Sequence, residues 1–124
     1  MPENDLRPVG WIGDSQAVIQ SFPKDIRVDL GYAIDRVQRG LDPSNFKPRN
    51  DIAAGVIQLM AEDRESWYRV FCVATGEAVW VLHAFKKKSN ETSKTDVENG
   101  KDAYRALTKY LSETKQGKSK KGAQ

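Results

Sequence analysis

The sequence predicts an α+β fold in which a small, mainly antiparallel sheet packs against helices from the N-terminal half, with one further helix at the C-terminal end. Three observations carry this. Between Pro23 and Gly40, Ile26, Leu30, Ala33, Ile34 and Val37 recur at helical spacing. From Val56 to Lys88, three β-branched and aromatic runs are separated by short polar turns. After Thr95 a helical pattern returns, with Val97, Tyr104, Leu107 and Leu111 on one side. The 124 residues suffice for one core and not two. A single domain over residues 1–114 is therefore expected, followed by a basic tail over 115–124 too polar to pack and expected to be disordered.

Residues 1–8 read as a polar lead-in, and Val9 to Gly13 as a short first strand with Trp11 or Ile12 pointing inward. Asp14 or Ser15 caps a turn or two of helix over residues 16–21. The helix from Pro23 to Arg39 has proline at its first position, where the missing N–H is no loss, and Gly40 just past its end. Leu41 to Gly55, with Pro43 and Pro48, reads as a long surface connection. Val56 to Met60 is a strand, residues 62–65 an acidic turn, and Trp67 to Ala74 a second strand in which Arg69 is the only charge. Thr75 to Glu77 turns the chain into Val79–Phe85, an apolar run broken only by His83, hence a strand covered on both faces. A three-residue loop would pair Ala74 with Ala78 and set Arg69 beside His83; a two-residue loop would set Arg69 beside Leu82. The first reading collects Arg69, His83, Phe85 and Lys87 on one face and leaves Trp80, Leu82 and Val70 for the helix after Pro23. Residues 89–94 form a linker, and the Thr95/Glu98 spacing of a capping box starts the last helix, which Gly100 weakens.

The net charge of +3 is not a property of the folded part. Four of the 20 basic residues lie in the last ten, leaving 16 against 17 acids before them. Any anion-binding surface is thus a local patch. The best candidate is the end of the last strand, where Lys86, Lys87 and Lys88 follow one another and put positive charge at the rim of the sheet. A run of lysines is also an ordinary solvated edge. Arg69 either pairs with an acid such as Glu62 or Asp63 or awaits an anionic ligand. His83 is either a satisfied structural histidine or a proton carrier. Trp67, Tyr68 and Phe71 are either core or base-stacking surfaces. One histidine and one cysteine, Cys72, exclude a Cys/His metal site. Glycine-rich phosphate loops and GxSxG are absent, and no cofactor is indicated. Without an apolar run of membrane-spanning length, a basic-then-apolar start or a cysteine pair, a cytoplasmic protein with no membrane partner is expected.

From Gly10 to Leu111 the order of elements and the residues resemble the RelE/HigB superfamily of bacterial and phage toxins, in particular its phage-derived branch. The resemblance rests on YRV (Tyr68 to Val70), VLHAFKKKS (Val81 to Ser89) and FPKDIRVDLGYAIDRVQRG (Phe22 to Gly40). It implies a toxin that cuts messenger RNA in the ribosomal decoding site without a metal, by attack of a ribose 2′-OH on the adjacent phosphate. It also implies a cognate antitoxin, expected to be a small helix-turn-helix protein, with mRNA and the ribosome as the other partners. Carried onto this chain, Arg69 matches a phosphate-contacting strand arginine, Lys87 a basic residue after the last strand, and His83 a recurrent histidine. Lys86 and Lys88, with Phe85 and Lys94, complete the expected RNA- and phosphate-binding set. The chain departs from the pattern in having lysine at 87, where arginine is frequent, and Asp96 after Thr95, where proline is frequent. It also brings Asp96, Glu98 and Asp102 near the lysines, where they lower the local potential. The alternatives are a ParE-like toxin that poisons DNA gyrase without catalysis, and a phage-derived binding protein of the same fold without activity.

Overall fold

The computed structural model describes residues 6–89 and 92–123, with side chains to Thr114. Five strands, β1 (Val9–Trp11), β2 (Phe46–Pro48), β3 (Val56–Glu62), β4 (Trp67–Ala74) and β5 (Val79–Lys87), form one sheet in the order β1-β5-β4-β3-β2. Strands β2 to β5 pair antiparallel, and β1 closes the far side parallel to β5. The sheet separates α1 (Ser15–Gln20) and α2 (Lys24–Gln38) from α3 (Lys94–Ala123). This is the expected α+β architecture, with the β3-β4-β5 meander at its centre.

Helix α2 begins one residue later than expected: Pro23, with ψ of 152°, is the N-cap and Lys24 the first helical residue. Its end is a Schellman turn. Gly40 takes φ +79°, its N–H donates to Val37 O (3.0 Å), and Leu41 N–H donates to Arg36 O (2.8 Å). Ile26, Leu30, Ile34 and Val37 are buried against Leu59, Tyr68, Val70, Cys72, Val79 and Val81. Trp11 packs into this cluster and Ile12 into the opposite one, so both are inward, on different faces. The long connection also holds β2, which pairs Phe46 with Leu59 along the edge of β3.

The β4–β5 turn differs from both expected lengths. It has four residues, Thr75 to Ala78, because Thr75 Oγ1 accepts from Glu77 N–H and Ala78 N–H (3.4 and 3.2 Å) while Thr75 N–H donates to Ala78 O (2.8 Å). By itself that turn would pair Arg69 with Ala84. A bulge intervenes: Cys72 pairs with Val81 but Phe71 with His83, leaving Leu82 as the extra residue. Beyond it Arg69 pairs with Phe85 and Trp67 with Lys87, so Arg69, His83, Phe85 and Lys87 share a face although Arg69 does not sit opposite His83. Before the bulge the parity is reversed. Trp80 and Leu82 therefore turn toward α3 instead of α2, while Val70 faces α2 as expected.

On the α3 side, Val97, Ala103, Tyr104, Leu107 and Leu111 pack on Phe71, Val73, Leu82 and Phe85. The capping residue is Ser93, not Thr95: its Oγ accepts from Asp96 N–H at 3.0 Å and donates to Asp96 Oδ2 at 2.7 Å. Gly100 is buried against the sheet; a Cβ there would stand 2.7 Å from Phe71 Cδ2. Helical backbone continues to Ala123. The backbone over 115–123 is thus helical where a disordered tail was expected, while the lead-in over 1–5, residues 90–91 of the linker and the side chains of the tail lie outside the described residues.

Candidate active site

Of the four face-sharing residues of β4 and β5, Phe85 packs beneath α3 and His83 meets Asp96 in the first turn of that helix. Arg69 is 4% exposed, and its Nη1 donates to Tyr68 O (3.1 Å) and Ala61 O (3.4 Å). Burial pushes its pKa down, and Glu62 opposes this by attraction. Of the two acids weighed for it, Asp63 is engaged elsewhere: it accepts from Glu65 N–H, Ser66 N–H and Tyr68 Oη at 2.9 to 3.0 Å.

His83 is half-buried within an aromatic group. Phe85 stacks on it (centroids 5.1 Å apart, planes at 21°), and Phe71 lies 6.1 Å away. Its Nε2 is 2.9 Å from Asp96 Oδ1. A carboxylate has no proton to give, so Nε2 carries the hydrogen and Nδ1 is the nitrogen left for proton exchange. Lys87 lies on the same face near the sheet rim, half-buried with its Nζ enclosed.

The remaining cations are dispersed. Lys86 pairs with Tyr68 on the opposite face and lines an open hollow of about 530 Å³ with Arg64, Asp63 and Ser21. Lys88 is exposed just beyond β5, and Lys94 is the exposed first residue of α3. Tyr68 and Phe71, at 3% and 0% exposure, are core residues, while Trp67 remains half-buried at the start of β4.

Two residues not singled out in the sequence join the group. One is Asp96, treated there only as a charge that weakens the lysines. The other is Arg49, from the connection between α2 and β3. Its guanidinium lies 5.3 Å above the Phe71 ring, grips Asp51 at 2.8 and 2.9 Å, and donates to Gln58 Oε1 at 2.7 Å. The Asp51 bond raises the pKa of Arg49 and lowers that of Asp51. A sequence signal for Asp96 existed, since Ser93-x-x-Asp96 is a capping spacing that would have placed an acid at a helix start facing β5. Arg49 had none, because its contacts depend on how the loop folds over β4. Among the described residues, no three His, Cys, Asp or Glu side chains converge as metal ligands, and no helix is long and apolar enough to cross a membrane.

Residues 17–105 match the family described as phage derived protein Gp49-like (DUF891). The chain belongs to this family. The match spans most of the chain, from α1 to the middle of α3, and takes in Arg49, Arg69, His83, the three lysines and Asp96. The Gp49-like family is a phage-derived family related to toxin–antitoxin systems, so an antitoxin partner is implied. No curated protein matches the chain significantly.

Proposed function

We propose that this Gp49-like protein is the toxin of a toxin–antitoxin pair of RelE/HigB type, an endoribonuclease that cuts messenger RNA at the ribosome without a metal. A small helix-turn-helix antitoxin holds it inactive. The observation that carries the reading is that Arg69, His83 and Lys87 share one face of the β4–β5 pair, on which the sole imidazole of the chain is fixed by Asp96. In the reaction, Nδ1 of His83 takes the proton of a ribose 2′-OH and the 2′-oxygen bonds to the adjacent phosphorus. The bond to the 5′-oxygen breaks, leaving a 2′,3′-cyclic phosphate and, once reprotonated, a 5′-OH. Arg69 and Lys87, both enclosed in the free protein, offset through their field the charge that accumulates on the phosphoryl oxygens, and the exposed Lys88 and Lys94 hold flanking phosphates. Lys86, on the other face, contributes only to the wider field.

The burial of Arg69 supports a second reading, in which this arginine is structural and the fold poisons a protein target such as DNA gyrase without cleaving RNA. Induction of the protein in cells, with mapping of RNA 5′ ends, separates the two. The nuclease reading expects cuts within translated frames that fall by about 10²–10⁴ in His83→Ala and by a similar order in Lys87→Ala. Growth arrest with intact messages would refute it in favour of the gyrase reading, and absence of arrest would leave an inactive binder.

A further inference from the structure

We propose that Asp96 is a positioning residue for His83, which fixes the imidazole with Nε2 protonated and Nδ1 available to substrate. The inference deepens the nuclease reading and, as a statement about catalysis, rests on it.

The geometry is held at both ends. Asp96 is the third residue of α3, and each of its polar groups but one is committed to the helix start. Its N–H donates to Ser93 Oγ at 3.0 Å, and its Oδ2 accepts the Ser93 hydroxyl at 2.7 Å. That leaves Oδ1 for Nε2 of His83, at 2.9 Å. A negative side chain in the first helical turn also meets the positive end of the helix dipole, which favours its staying there. The ring is held in turn by Phe85 against its face, so rotation about its last torsion would sacrifice both the stacking and the hydrogen bond. An imidazole that takes a proton on Nδ1 becomes a cation, and the carboxylate behind Nε2 stabilises that cation without accepting its proton. The proton then passes from Nδ1 to the leaving 5′-oxygen, returning the ring to its starting tautomer.

The same contacts serve the helix cap, so the test must separate orientation of the ring from stability of the helix. His83 is the only histidine, and ¹⁵N-histidine labelling of the full chain therefore reports one imidazole. The wild type, Asp96→Asn and Ser93→Ala are compared by imidazole ¹⁵N shifts of the neutral ring, circular dichroism and single-turnover cleavage of RNA on ribosomes. The wild type is expected to show the Nε2–H tautomer alone. Asp96→Asn should mix the tautomers and slow cleavage at least tenfold while remaining folded. Ser93→Ala, which weakens the cap and leaves the carboxylate, should keep the tautomer and cleave within about threefold of wild type. An unchanged tautomer in Asp96→Asn, or equal losses in the two variants, would overturn the proposal. If the wild type cuts no RNA the nuclease reading fails by itself, and the ring's tautomer still decides whether Asp96 fixes it.

Discussion

Two glycines in helices of this protein should respond to the same substitution with opposite signs. Gly31 lies on the exposed side of α2, and nothing stands within 4 Å of the position a Cβ would take. Gly100 is buried in α3, where a Cβ would meet Phe71 Cδ2 at 2.7 Å, Phe71 Cε2 at 3.0 Å and Ile52 Cδ1 at 3.3 Å. Alanine gains roughly 1 kcal/mol over glycine in a helix interior, and both substitutions collect that. Gly100→Ala also forces a contact that Phe71, with no exposed surface, cannot relieve by swinging into solvent. Overpacking of this kind costs about 1–3 kcal/mol. The net expectation is a gain of about 1 kcal/mol for Gly31→Ala and a loss of up to about 2 kcal/mol for Gly100→Ala, from the difference of the two effects. For a chain of this length 1 kcal/mol moves the melting temperature by roughly 3–5 °C. Thermal denaturation followed by circular dichroism at 222 nm would show the first variant a few degrees above wild type and the second up to about 10 °C below it. If Gly100→Ala melts higher, α3 does not lie on Phe71 at this distance, and the seating of Asp96 on His83 loses its support.

Two further outcomes follow from buried or bonded ionisable groups. The carboxyl of Asp63 lies below its ordinary value of 3.8, first because of the Glu65 N–H and then through Ser66 N–H and Tyr68 Oη. Its contribution to stability is thus complete above that value and lost as pH falls through the lower folded value. Asp63→Asn should flatten the acid limb of the stability curve below about pH 4, and an unaltered limb would show that the turn is not held this way. Burial pushes the Cys72 thiol up to about 12. It should resist a thiol reagent at pH 8 in the native protein and react within minutes once guanidinium unfolds it; rapid labelling without denaturant would contradict the core shared by α2 and the sheet.

What the sequence revealed of this fold follows from where local chemistry decides. Pro23 and Gly40 bracket α2 because each suits a helix end for reasons internal to one residue. Strand β4 was legible to the residue because its aromatic and β-branched run stops sharply at polar neighbours. Strand β2 was hidden, since Phe46-Lys47-Pro48 has no strand pattern and exists only through pairing with β3. The face of Arg69, His83 and Lys87 came out correctly from the wrong turn length. A four-residue turn and a one-residue bulge each invert the pairing, and two inversions restore it for every residue beyond Leu82. Trp80 lies before the bulge, undergoes one inversion, and changes sides.

Charge counting failed at Asp96 for a related reason. In the sequence Asp96, Glu98 and Asp102 are three equal subtractions from the field of the lysines. In the folded chain they are not equivalent. Asp102 pairs with Arg105 and Glu98 lies 3.9 Å from Lys101, both within α3 and on solvated sides, so each is largely offset by a cation of its own helix. Asp96 alone turns inward, to His83. In the proposed reaction this acid is the one placed to help, because an imidazole that must gain a proton benefits from a negative partner. Helix spacing explains the sorting. The i to i+3 step pairs 98 with 101 and 102 with 105 along the helix surface, while Asp96, one turn from the Ser93 cap, has no basic residue of α3 at that step.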